Sequence, residues 1–218
     1  MVGLGLQRSS NRIMSKDNYW TCQKVIPVIV IENANNAVPM AKALVKAGIN
    51  KIEITLRTSA ALDAIHRINS EVPEAIVGAG TILNAKNGEQ AIKAGAKFLV
   101  SPGSTEELLN FFNNSGVRFL PGCATVSEAM RLSELGISVA KFFPAEESGG
   151  VNFLKGVSSV LQKISFCPTG GINKLNYKKY LDLSNVVCVG GSWISPASLI
   201  ESENWDEIIR LASEIKGV

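Results

Sequence analysis

An α/β fold, specifically a single-domain (β/α)8 (TIM) barrel, is what this sequence predicts, on three observations. Short apolar runs alternate with longer amphipathic stretches from Val25 onward, the pattern of repeated βα units around a parallel sheet. Eight such runs can be read in about the length that a closed barrel needs. With 218 residues and 46% hydrophobic content, the chain can bury a substantial core. An open doubly wound sheet is the alternative, because a count of units does not prove closure. It is weakened by the absence of a G-x-G-x-x-G turn after the first run.

The expected strands, in order, are Val25 to Ile31, Lys51 to Leu56, Ala75 to Gly80, Phe98 to Ser101, Arg118 to Pro121, Val139 to Phe143, Lys163 to Phe166 and Val186 to Gly190. Each is a short apolar run bounded by polar or turn-forming residues. The amphipathic segments between them predict helices over Val38 to Lys46, Ala60 to Ile68, Thr105 to Phe112, Val126 to Leu135 and Tyr177 to Leu183, with a last one near Trp205 to Ile215. A short helix is also expected after Ser195, with that serine as its cap and Pro196 at its first position.

Residues 1–16 lack this periodicity and read as a flexible extension ahead of one domain over 17–218. They hold no apolar stretch long enough for a secretory signal, and nothing later approaches a membrane span. The 22 basic and 19 acidic residues leave a scattered net charge of +3, which does not make a nucleic-acid surface. Cys22, Cys123, Cys167 and Cys188 show no metal-ligand spacing and read as free thiols, three of them in or beside apolar runs. A soluble cytoplasmic protein acting on a small molecule is the expectation, with no membrane or nucleic-acid partner.

One residue departs from the apolar rule. Lys141 sits inside Val139-Ala140-Lys141-Phe142-Phe143-Pro144, near the end of its run, where active sites of parallel α/β folds gather. An amine withdrawn from water sheds its proton more readily and can attack a carbonyl. Lys51, Lys97 and Lys163 stand at the starts of their runs, where a charge is expected to lean out. In Lys51-Ile52-Glu53-Ile54-Thr55-Leu56-Arg57, the period of two sets Glu53, Thr55 and Arg57 on the face opposite the isoleucines. Glu53 and Arg57 should then point into the upper interior near Lys141, either as functional groups or as a simple ion pair with each other. The single histidine, His66, lies in a surface-type helix, and Glu146 lies past the strand end, so Glu53 leads as acid–base group.

Two glycine-rich turns, Pro168-Thr169-Gly170-Gly171-Ile172-Asn173 and Val189-Gly190-Gly191-Ser192-Trp193, follow the last two runs. Backbone N–H groups in such turns wrap anions, and barrels often hold phosphate with this pair of loops, with Thr169 or Ser192 adding hydroxyls.

Taken together, Glu53-Ile54-Thr55-Leu56-Arg57, Gly78-Ala79-Gly80-Thr81, Ser101-Pro102-Gly103, Lys141-Phe142-Phe143-Pro144-Ala145-Glu146 and Cys167-Pro168-Thr169-Gly170-Gly171 resemble the 2-keto-3-deoxy-6-phosphogluconate (KDPG) aldolase family, also called 4-hydroxy-2-oxoglutarate aldolases. The resemblance runs from Val25 onward, with Ala124 where some relatives carry serine. It implies a class I aldolase working as a homotrimer of barrels without cofactor or metal, on a 2-keto-3-deoxy sugar acid phosphate. It further implies Lys141 as Schiff-base lysine, Glu53 as proton carrier, Arg57 and Thr81 at the substrate carboxylate, and Pro102, Phe143 and Thr169 beside the substrate. Gly170, Gly171, Gly190, Gly191 and Ser192 would gather the phosphate. A galactonate-series aldolase, a phosphosugar isomerase or epimerase, a metal-dependent aldolase and a non-catalytic phosphate-binding barrel remain the alternatives.

Overall fold

Branched and aromatic residues make the sheets, and the computed structural model, which describes residues 18–215, places them where their side chains escape water. The expected extension over 1–16 lies outside the described residues. The strands are β1 (Val25–Ile29), β2 (Lys51–Thr55), β3 (Ile76–Gly80), β4 (Phe98–Val100), β5 (Arg118–Leu120), β6 (Gly122–Cys123), β7 (Val139–Phe142), β8 (Ser165–Pro168) and β9 (Val189–Gly191). All their pairings are parallel. Six form one sheet in the order β5-β4-β3-β2-β1-β9, and three form another in the order β6-β7-β8. Pro121 alone separates β5 from β6; its ring supplies no ladder donor. An isolated parallel bridge joins Thr169, just past β8, to Gly190 of β9. The result is a curled parallel sheet with helices packed outside it.

The helices are α1 (Asn18–Thr21), α2 (Ala37–Lys46), α3 (Ala61–Glu71), α4 (Ala85–Lys93), α5 (Glu106–Ser115), α6 (Val126–Glu134), α7 (Gly150–Val157), α8 (Tyr177–Leu181), α9 (Ala197–Glu201) and α10 (Trp205–Ser213). Polar caps start several of them. Thr125 and Glu128 form a reciprocal capping box on α6, and the Thr105 hydroxyl accepts from the Leu108 N–H on α5. Neither α4 nor α7 shows in the apolar pattern, because α4 buries only Gly88 and Ala91 and α7 opens on a glycine. Gly88 leaves its face to the Phe111 ring.

Ile29, Leu44, Ile52, Ile54, Ile65, Val77 and Leu99, all at 0% exposure, anchor the layer between the sheet and its helices. A second cluster lies inside the curl, with Ile26, Phe98, Val100, Leu120, Val139, Cys167 and Cys188. Burying this apolar surface is the main drive to fold. The last two strands begin later than their runs suggested. Lys163 is exposed ahead of β8, and Val186 makes only an isolated bridge to Phe166 before β9 begins. Among the described residues no helix is long and apolar enough to cross a membrane.

Candidate active site

Every strand runs in the same direction, so the turns that follow them emerge at one end of the sheets. Glu53, on the inner face of β2, is 3% exposed and stands in register with Val28 and Gly78. Its carboxylate has room because of Gly80: a side chain there would strike Oε1 of Glu53 directly. Lys141 enters from the other sheet. It is 5% exposed, lies between Gly122 and Cys167 in register, and its N–H donates to the Pro121 carbonyl at 2.8 Å.

The two side chains meet across the space between the sheets. Nζ of Lys141 donates to Oε1 of Glu53 at 3.5 Å, with the Phe143 ring centroid 5.4 Å from the amine. A tight charge-assisted bond is about 2.7–2.9 Å, so this amine is held near the carboxylate without being locked to it. Arg57 does not compete. It is exposed past the end of β2, and its Nε donates to the Thr55 hydroxyl at 3.2 Å, which itself donates to the Ile29 carbonyl at 2.9 Å. The expected inward direction thus fits Glu53 and Thr55, whereas Arg57 leaves the strand's alternation and sits at the mouth. The alternative of a Glu53–Arg57 ion pair is replaced by a Glu53–Lys141 pair.

Thr81, directly after β3, has φ +60, a left-handed conformation that a β-branched residue adopts at a cost of about 1–3 kcal/mol. Pro102, half-buried after β4, packs its carbonyl on Gly122, the register partner of Lys141. Phe143 is half-buried and joined to Pro144 by a cis peptide bond.

In the first glycine-rich turn, Thr169 is buried, its N–H donates to the Phe142 carbonyl at 2.9 Å, and its hydroxyl fills the side-chain position of Gly190. Gly171 has φ +74, and its carbonyl accepts from the amides of Asn173 and Asn176 at 3.1 and 3.0 Å. Among the described residues no protein group accepts from the N–H of Gly171 or of Ser192. The open faces of Gly171 and Gly191 are covered by the Glu146 side chain and the Trp193 ring, so a bulky substitution would meet those before it met any ligand. The expected cap of α9 changes: Pro196, not Ser195, takes that position, and among the described residues the buried Ser195 hydroxyl has no hydrogen-bond partner.

Lys51, expected to lean out at the start of its run, is instead buried at 1% exposure. Its amine donates to the Tyr19 carbonyl and to Sγ of Cys22 at 3.2 Å, and lies 4.1 Å from the Tyr19 ring centroid. The reason is α1, which lies across the starts of the strands and supplies a carbonyl and aromatic faces to that amine. Burial therefore does not single out Lys141. What distinguishes it is a carboxylate partner at the strand-end mouth; Lys51 lies at the strand starts, and among the described residues it has no carboxylate partner. Gly80, which makes room for the Glu53 carboxylate, has a place in the site that the sequence reading did not assign; the glycines of Gly78-Ala79-Gly80 were the available signal. Among the described residues no group of three or more His, Cys, Asp or Glu side chains stands together as a metal site.

The family model described as KDPG and KHG aldolase matches residues 17–211. The chain belongs to this aldolase family. It is 47% identical over 206 residues to the 2-dehydro-3-deoxy-phosphogluconate aldolase of Pseudoalteromonas atlantica, covering 94% of this chain and 96% of that one. It is 48% identical over 200 residues to the KHG/KDPG aldolase of Escherichia coli, covering 92% and 94%. Among solved structures, the KDPG aldolase of Legionella pneumophila, with pyruvate captured as a covalent carbinolamine intermediate, superposes with a TM-score of 0.89 at 42% identity, covering 93% of this chain and 98% of that one. Aldolases of this family thus share the chain's fold over nearly its whole described length.

Proposed function

We propose that this family member is a class I aldolase that cleaves 2-dehydro-3-deoxy-6-phosphogluconate to pyruvate and D-glyceraldehyde 3-phosphate, and 4-hydroxy-2-oxoglutarate to pyruvate and glyoxylate. The observation that carries the reading is the buried Lys141 amine 3.5 Å from the buried Glu53 carboxylate. The carbinolamine captured in the Legionella pneumophila relative supports the same covalent route.

Lys141 attacks the ketone carbon; loss of water from the carbinolamine leaves a protonated imine that draws electrons from the bond to be broken. Glu53 takes the hydroxyl proton, directly or through a water, as the aldehyde leaves, and returns a proton to the enamine carbon. Hydrolysis frees pyruvate and the amine. Arg57 and Thr81 hold the substrate carboxylate, for which the planar guanidinium fork offers two parallel donors. Pro102, Phe143 and Thr169 line the substrate, and Gly170, Gly171, Gly190, Gly191 and Ser192 gather the phosphate through backbone N–H groups. The unpaired N–H groups of Gly171 and Ser192 favour that role. The scheme calls for no metal or cofactor.

The same reading takes the two sheets as arcs of one closed (β/α)8 barrel over a single domain from residue 17 to 218. The single proline between β5 and β6, the Thr169–Gly190 bridge and the reach of Lys141 to Glu53 support it. It also takes the working enzyme as a cytoplasmic homotrimer. The test of the chemistry is incubation with pyruvate and borohydride followed by peptide mass spectrometry. A reduced adduct on Lys141 is expected; an adduct elsewhere, or none, would sink the proposal.

A further inference from the structure

Glu146 looks idle in the scheme above, yet its surroundings are built. The backbone after β7 runs beside the backbone after β8: the N–H of Ala145 donates to the Thr169 carbonyl at 2.8 Å and that of Glu146 to the Gly170 carbonyl at 3.2 Å. The Glu146 side chain then passes under Gly171, where a Cβ would lie 2.5 Å from its Cγ. Its carboxylate accepts a hydrogen bond from the hydroxyl of Tyr180, a fully buried residue of α8. Gly150, at the start of α7, leaves space for both, since a side chain there would stand 3.0 Å from the Tyr180 hydroxyl and 3.3 Å from Oε1 of Glu146. Burial, and then the Glu146 carboxylate, pushes the phenol's pKa well up, so Tyr180 keeps the proton it donates.

We propose that Tyr180 is a positioning residue for the phosphorylated end of the substrate: acting through Glu146, it holds the Gly170–Gly171 turn against the strand that carries Lys141. The inference rests on the phosphate role given to that turn above. The turn's outer side is already tied by Asn173 and Asn176 to the Gly171 carbonyl. The Glu146–Tyr180 pair packs against the inner side, and among the described residues the Gly171 N–H has no protein acceptor. Without the pair, the turn must pay in ordering what it now has ready before phosphate can bind. The reacting carbons, gripped by Lys141 and Glu53, would feel little of this.

The test is kinetic, on Tyr180→Phe and Glu146→Ala, with Ser192→Ala as a control inside the phosphate site and Glu146→Gln as the conservative comparison. A lost hydrogen bond to a charged group predicts that Tyr180→Phe raises KM for the phosphorylated substrate roughly 10-fold or more. The expected loss on 4-hydroxy-2-oxoglutarate is much smaller, and borohydride trapping of pyruvate proceeds at the parent rate. Glu146→Gln should be milder than Glu146→Ala, because the amide oxygen still accepts from Tyr180. Equal proportional losses on both substrates in folded Tyr180→Phe and Glu146→Ala would overturn the inference as a purely structural effect. If Ser192→Ala is selective for the phosphorylated substrate while the other two are not, the latch falls and the phosphate site stands. If none of the three is selective, both fall.

Discussion

Lys141 and Glu53 come from two different sheets, 88 residues apart in sequence, and meet with side chains only 7% and 4% exposed. A buried pair of this kind costs desolvation on both sides, and replacing both partners is often less harmful than removing one. Each group therefore keeps the other tolerable in the interior, and in the proposed chemistry each acts on the substrate.

Deleting the amine alone should destabilise the fold as well as end catalysis. Lys141→Met strands the Glu53 carboxylate, at a cost of about 3–5 kcal/mol in urea unfolding. Adding Glu53→Gln should recover most of that stability with no return of cleavage. Lys141→Arg should also be inactive, since a guanidinium does not become a neutral nucleophile. Near-parental turnover by Lys141→Met or Lys141→Arg would end the Schiff-base assignment.

Glu53→Gln by itself keeps size and loses basicity. Pyruvate trapping on Lys141 should persist at a reduced rate, while exchange of solvent deuterium into pyruvate's methyl group falls roughly 10²-fold. Exchange at the parental rate would mean that another group or a water carries the proton.

Gly80→Ala alters no group in the proposed chemistry, yet its Cβ would collide with the Glu53 carboxylate. Glu53 must then swing away, and activity should drop toward that of Glu53→Gln. Shortening the acid in Gly80→Ala/Glu53→Asp should restore part of the loss. A fully active Gly80→Ala would show that the carboxylate need not occupy the position seen here.

The thiols should divide by exposure. Cys22 is exposed and Cys123, Cys167 and Cys188 are buried, so an aromatic disulfide reagent should titrate one thiol quickly in the native protein and the others only on unfolding. Burial, and the nearby Glu128 charge, push the Cys123 thiol up to about 12. A raised folded-state value gives stability that is whole below the ordinary thiol range and lost as pH climbs toward 12. Cys123→Ala should therefore flatten the decline of stability between about pH 9 and pH 12 measured by urea titration. Rapid native labelling of Cys123 would contradict the burial.

What the sequence determined by itself was local in origin. Apolar runs alternating with amphipathic stretches set the α/β class, because burial of one face depends on a period that can be read residue by residue. The inward face of Glu53 and Thr55 follows from the same period, and the burial of Lys141 follows from the apolar residues on either side of it. Short motifs resting on neighbouring residues were legible too, and they carried the family. Tertiary structure decided the pairings between distant segments. Lys51 stands at the start of a run like any solvent-facing lysine, and only α1 laid across the strand starts buries it. Arg57 lies two residues from Thr55 and four from Glu53, yet the strand ends at Thr55 and the alternation ends with it. Helix α4 carries too few apolar residues to announce itself, and it is held by contacts such as Gly88 on Phe111. Gly80 beneath Glu53 and Tyr180 beneath Glu146 are steric and hydrogen-bonded relations between separate elements. Periodicity along one chain holds no record of which far residue will fill the space beside it.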